Sequence, residues 1–128
     1  MKKVFFVILW LLLAVNAYAV KLYERDYQTA FTNRIKGQAE VELQDKTRVD
    51  ILTDKYAIEV DYARKWQEAI GQSLYYAVMT GKAPGIVLII KSNKDFKYLN
   101  RLLKVLKSYD LNIKVWIIDK TFEIKIIN

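Results

Sequence analysis

The 128 residues contain neither histidine nor cysteine, so imidazole bases, thiolate nucleophiles and soft metal ligands are excluded. Any chemistry must come from carboxylates, lysine, arginine, tyrosine or hydroxyls, or from a hard cation held by oxygen atoms. Asp50, Glu59 and Asp61 meet that description most densely, within Arg48-Val49-Asp50-Ile51-Leu52-Thr53-Asp54-Lys55-Tyr56-Ala57-Ile58-Glu59-Val60-Asp61. A two-residue connection at Asp54-Lys55 pairs Thr53 with Tyr56, Ile51 with Ile58, Asp50 with Glu59, Val49 with Val60 and Arg48 with Asp61. The apolar partners then share one face of the sheet, and Asp50, Glu59 and Asp61 gather on the other. Opposed carboxylates repel each other. Two arrangements relieve that repulsion. One is a divalent cation, since Mg²⁺ is commonly held by one or two carboxylates with water and substrate phosphate. The other is an exposed acidic face neutralised by Arg48, Arg64 or Lys65.

A helix beginning just after Asp61 brings further polar groups to this place. At about 100° per residue, Lys65, Gln72 and Tyr76 fall on one line beside the apolar stripe. Lys65 stands in the first turn, where an unpaired cation is unfavourable for the helix dipole unless an acidic cluster or phosphate lies nearby. For Gln72 and Tyr76, polarity at the edge of the buried stripe is an equally available account.

The elements that must position these residues follow from periodicity. Leu22 to Lys36 is apolar at helical spacing through Tyr23, Tyr27, Ala30, Phe31 and Ile35, with Gly37 as its C-terminal glycine. Strand-like runs follow at Gln38–Leu43, Arg48–Thr53 and Tyr56–Asp61. Arg64–Thr80 is amphipathic through Trp66, Ala69, Ile70, Leu74 and Ala77, and Gly81 stops it. Lys82-Ala83-Pro84-Gly85 reads as a turn. Ile86–Ile90 is a continuous apolar run, expected of a strand buried on both faces. Asp95–Tyr109 is a further amphipathic helix, and Ile113–Ile118 and Phe122–Ile127 are the last strand candidates. The order α-β-β-β-α-β-α-β-β describes an α/β mixed sheet flanked by helices, in a single domain over 20–128.

Residues 1–19 are set apart from that domain. Lys2 and Lys3 precede an apolar run from Val4 to Val15, followed by Asn16 and Ala17-Tyr18-Ala19, the order of a secretory signal peptide. Removal after Ala19 implies an exported protein, periplasmic or secreted; retention of the segment would make it a membrane anchor. The apolar content of 53% excludes intrinsic disorder, and 21 Lys and Arg against 14 Asp and Glu give a formal charge of +7. Such a balance suits a polyanionic partner or simply a solvated basic surface. Lys97, Arg101 and Lys104 follow i, i+4, i+7 spacing, flanked by Lys94 and Lys107, and form a basic helix face able to track a phosphate backbone.

With Asp50 and Glu59 on neighbouring strands, and Gln72-Ser73-Leu74-Tyr75-Tyr76 on the next helix, the stretch from Tyr23 to Lys91 resembles the PD-(D/E)xK nuclease superfamily. Asp50 matches that family's first acid and Glu59 its second, while Gln72 and Tyr76 match a Gln-x-x-x-Tyr element of one branch. Glu24 is the candidate for the first-helix glutamate. Val49 stands in place of the name-giving proline, and Asp61 in place of the lysine, which Lys65 would then supply from the helix. The chain also resembles a type of small exported bacterial protein through Thr47-Arg48-Val49-Asp50 and Lys65-Trp66-Gln67-Glu68-Ala69-Ile70-Gly71-Gln72. The resemblance implies a restriction-endonuclease-like sheet and hydrolysis of phosphodiesters in nucleic acid, DNA before RNA. It further implies Mg²⁺ or Mn²⁺ held by Asp50, Glu59 and Glu24, with Lys65 and Gln72 assisting and Asp61 as an added ligand or the partner of Arg48. The alternative is an exported protein of the same fold that binds nucleic acid or protein without cleaving.

Overall fold

A computed structural model describes residues 20–128; the expected leader, residues 1–19, lies outside the described residues. The chain forms helix α1 (Glu24–Ile35), strands β1 (Gln38–Glu42), β2 (Arg48–Leu52) and β3 (Tyr56–Tyr62), and helix α2 (Trp66–Thr80). Strand β4 (Ala83–Ile90), helix α3 (Phe96–Ser108) and strands β5 (Lys114–Asp119) and β6 (Ile124–Ile126) complete it. Short 3₁₀ turns at Ala63–Lys65 and Asn93–Asp95 lead into α2 and α3. The six strands make one sheet in the order β1-β2-β3-β4-β5-β6. Pairing is antiparallel at both margins and parallel between β3, β4 and β5. The architecture is therefore an α/β mixed sheet flanked by helices, as the alternation of patterns implies.

Strand alternation distributes the side chains between two layers. On one face, Tyr27 and Phe31 of α1 pack over Ile51, Ile58, Val60, Val87, Ile89, Trp116 and Ile118. On the other, Ala69 of α2 and Leu99, Leu102 and Leu106 of α3 cover Ile86, Leu88, Ile90, Val115 and Ile117. The continuous apolar run of β4 thus feeds both layers in turn.

Several expectations are corrected. Ala83-Pro84-Gly85 is not a turn but the start of β4, parallel to Tyr56–Ile58. The Ala83 N–H bonds the Lys55 carbonyl at 2.9 Å, so the next nitrogen, that of Pro84, faces the other way. Pairing with β5 begins only at Gly85, and the missing proline donor leaves no gap in the ladder. Gly85 is there for space, because a Cβ would come within 2.9 Å of the Trp116 ring and 3.1 Å of the Ile58 side chain. At the end of α1 the left-handed residue is Lys36, at φ 55°. Gly37 donates its N–H to the Thr32 carbonyl at 3.1 Å, and a Cβ on it would meet the Ile51 side chain at 2.7 Å.

The β2–β3 register follows the expected one at Ile51↔Ile58 and Leu52↔Ala57, and the Thr53 N–H bonds the Tyr56 carbonyl at 2.9 Å. Beyond Ile51 it departs. Val49 does not join Val60 in the α1 layer but packs with Ala57, Tyr76, Leu43 and Leu52. The cause lies at Asp50 and its neighbour on β1, Glu40, whose φ of 54° is left-handed.

Candidate functional site

Where the ladder departs from regularity, side chains replace its backbone bonds. The Asp50 carboxylate accepts the Val60 N–H at 2.8 Å. The Asp50 carbonyl accepts from Gln28 Nε2 at 3.0 Å, and the same amide donates to Glu40 Oε1 at 2.9 Å. Gln28 is buried on α1, one helical turn beyond Glu24. A glutamine from a covering helix therefore wedges between β1 and β2 and turns Asp50 toward β3.

That wedge brings the acids together. The Asp50 and Glu59 carboxyls lie within hydrogen-bonding reach of each other. Glu59 is 6% exposed and Asp61 5%. Alternation along β3 sets both opposite the Ile58–Val60 face, on the side of α2. Burial pushes the Glu59 carboxyl up to about 9, reinforced by the charges of Asp50 and then Asp61. Burial also raises Asp50, to about 6, against the opposing pull of the Val60 N–H and the Glu59 hydrogen bond. The pair thus shares a proton through neutral pH instead of carrying two charges. Asp61 is raised to about 7, by burial and then by Glu24, against the Lys65 ammonium.

Lys65 ends the 3₁₀ turn that leads from β3 into α2. It is half-buried, and its charge acts on both Asp61 and Glu24. Glu24, in the first turn of α1, is raised above its usual range by burial, with Lys65 opposing. The first turns of two helices on opposite faces of the sheet therefore converge on the end of β3. Tyr76 is buried on α2 beside Val49 and Ala57, and its hydroxyl is raised by burial and then by Glu59 and Asp50. Gln72 is exposed. Lys97, Arg101 and Lys104 are all exposed on α3, where Lys97 and Arg101 flank the Tyr98 ring at 5.0 and 5.6 Å from its centroid.

Sequence reasoning missed Gln28 and Glu40. The available signal was Gln28 within the α1 stripe, one turn after Glu24 and one before Thr32, at a position where a buried polar group must have a partner. Glu40 gave no signal, because it reads as one of the outward residues of an alternating strand.

Among the described residues, no three Asp or Glu side chains converge on one cation position. The donor set suits a hard cation held by the Asp50–Glu59 pair, with water or substrate phosphate completing the shell. Two crowded carboxyls that retain a proton are the feature a divalent charge would relieve.

The chain is 30% identical over 93 residues, 73% of its length, to a KilA-N domain-containing protein of Acanthamoeba polyphaga mimivirus, of which the match covers 25%. It is 32% identical over 94 residues to a second KilA-N domain-containing protein of the same virus, covering 37% of it. The chain thus matches about a quarter and about a third of the lengths of these relatives. No known family profile matches the chain, and no solved structure matches it. These similarities overturn the assignment to the PD-(D/E)xK nucleases and give no support to a bacterial origin. An acid pair on adjoining strands and a glutamine on the next helix form a short pattern that unrelated lineages can reach, and Asp61 already broke it at the lysine.

Proposed function

We propose that the Asp50–Glu59 pair holds a divalent cation and that the protein hydrolyses phosphodiesters in nucleic acid. The observation that carries this reading is the neighbouring pair of a half-buried Asp50 carboxyl, held by the Val60 N–H, and a buried Glu59 carboxyl, with the Lys65 charge acting on Asp61 and Glu24 at the same strand end. Structural acids are normally paired or solvated; these are held together instead.

When bound, a divalent cation lowers the pKa of a coordinated water and offsets charge on a phosphoryl oxygen. Asp50 and Glu59 supply its carboxylate oxygens, and the Val60 N–H fixes the orientation of Asp50. Gln28 keeps the Asp50 backbone out of the ladder. Lys65 provides positive charge at the same strand end for the phosphate, where it also acts on Asp61 and Glu24. Gln72 and Tyr76 border this side of α2, where Gln72 contacts substrate and Tyr76 closes the floor. The exposed row Lys97, Arg101 and Lys104 attracts the strand electrostatically without reading sequence.

The test is cleavage of linear and circular DNA, with RNA in parallel, in Mg²⁺ and in Mn²⁺. Wild-type protein is expected to cleave, with loss of at least a hundredfold in Asp50→Asn and in Glu59→Gln, on the order of other charge-stabilising deletions. Equal cleavage by wild type and Glu59→Gln would refute the reading. A protein that binds DNA but never cleaves it with either metal would establish the alternative, a binding module.

A further inference from the structure

A concavity lies over the carboxyl ends of the parallel strands β4 and β5. It is a cleft of about 470 Å³ floored by Ile90 and Ile117. Phe96, 39% exposed at the start of α3, forms one wall. Lys91, Lys120 and Lys125 stand around it with Ser92, Asn93 and Thr121. The Asp119 carboxylate, also in the lining, is occupied by its own loop. It accepts the N–H groups of Thr121 at 2.8 Å and Glu123 at 3.1 Å and the Thr121 hydroxyl at 2.6 Å. Glu123 also lines the cleft, so three lysines face two carboxylates, and the rim is net cationic beside an aromatic wall and above an apolar floor. Its volume is within the range of pockets that bury small ligands.

One side chain at the end of β3 reaches the edge of the cleft. The Lys91 ammonium lies 5.5 Å from the Tyr62 ring centroid and the Arg64 guanidinium 5.3 Å from it. Tyr62 directly follows Asp61, and Arg64 directly precedes Lys65. Arg64 and the cleft-lining Lys91 therefore share the Tyr62 ring at the end of β3.

We infer that this cleft takes one unstacked nucleotide of a single-stranded segment, with the base against Phe96 and the phosphates along Lys91, Lys120 and Lys125. An aromatic wall within a recess is reached by a base that has left the helical stack, whereas a paired base keeps its faces covered. The choice of a nucleotide over other aromatic anions rests on the reading of the acidic pair given above, and the substrate it implies has a single-stranded stretch.

The experiment is fluorescence anisotropy of the full chain with labelled oligothymidylate of about twelve nucleotides, within the usual site size of single-strand grooves, and with a duplex of equal length. It compares wild type, Phe96→Ala and the double variant Lys120→Gln/Lys125→Gln over a salt series, without divalent cation. Phe96→Ala should weaken single-strand binding between about fivefold and a hundredfold, with little change for duplex. The double variant, whose side chains are exposed and outside the core, should lower the slope of log affinity against log salt by about 0.7 per lysine. Wild-type affinity and slope for oligothymidylate in both variants would overturn the inference. Cleavage that persists alongside such unchanged binding would sink the cleft but not the acidic centre. Cleft-dependent binding in a protein that never cleaves would support the cleft and remove the centre.

Discussion

Asp50 and Val60 are joined by a carboxylate-to-backbone hydrogen bond of 2.8 Å, a side chain filling a ladder position between neighbouring strands. Removing the carboxyl in Asp50→Ala orphans a buried N–H and should cost about 1–3 kcal/mol. Asp50→Asn retains an acceptor and removes a charge from the crowded pair, so at pH 8 it should be at least as stable as wild type. Denaturant unfolding separates the two; equal losses in both variants would show that the Val60 bond contributes nothing.

Gln28 is the support behind that geometry. Gln28→Met preserves much of the volume and leaves the Asp50 carbonyl without its partner, with an expected loss of about 1–3 kcal/mol. The same variant should weaken cation binding, because the Asp50 backbone that presents the carboxyl to β3 is then no longer held from the β1 side. Unchanged affinity in a destabilised variant would make Gln28 a purely structural residue.

The carboxyls also fix a direction for pH dependence. Asp50, Asp61 and Glu59 are raised in the folded state to about 6, 7 and 9, all above their ordinary values. Between the ordinary carboxylate range and those values the folded chain binds more protons than the unfolded chain, so these groups make stability fall as pH rises. Without divalent cation, Tm should decline from pH 5 to pH 9. Millimolar Mg²⁺ should flatten the decline, as should Glu59→Gln. Differential scanning calorimetry checks this, and a Tm that climbs across the window in cation-free buffer would contradict it.

Gly85 offers a test of the fold that is independent of the acids. Gly85→Ala places a methyl group 2.9 Å from Trp116 and 3.1 Å from Ile58, and overpacking of this kind costs about 1–3 kcal/mol. Trp116 also meets Phe31 and Tyr56 edge-on, with ring centroids 5.5 and 5.3 Å away. The variant should therefore show an altered tryptophan spectrum as well as a lower unfolding midpoint. A neutral result would mean that Trp116 can move at no cost.

Periodicity alone placed most of the architecture, because each helix and central strand carries an apolar pattern matched to its period. The expected helix at Asp95–Tyr109 and the observed Phe96–Ser108 differ by one residue at each end. Pro84 misled the reading because the harmlessness of its missing donor depends on where β5 begins, which is a tertiary fact. The last strand was drawn too long, since Phe122 takes a left-handed φ of 61° in the turn that precedes β6. At the site, the expected register sets Asp50 opposite Glu59, whereas the observed register stops at Ile51↔Ile58 and the Asp50 carboxylate takes the Val60 N–H. The swing of Val49 to the other layer does not follow from the pattern, because it depends on Gln28 arriving from α1 and on the backbone of Glu40. A periodic pattern describes faces of regular elements, and the site lies where one element stops being regular.

The central claim is that Asp50 and Glu59 exchange their shared proton for a divalent cation. Isothermal titration of the full chain with Mg²⁺ or Mn²⁺ at pH 8, repeated in buffers of different ionisation enthalpy, measures both binding and proton release. One bound cation with release of close to one proton in wild type, and no binding in Glu59→Gln, is the expected result. Binding of equal affinity in wild type and Glu59→Gln, or binding that releases no proton, would contradict the account.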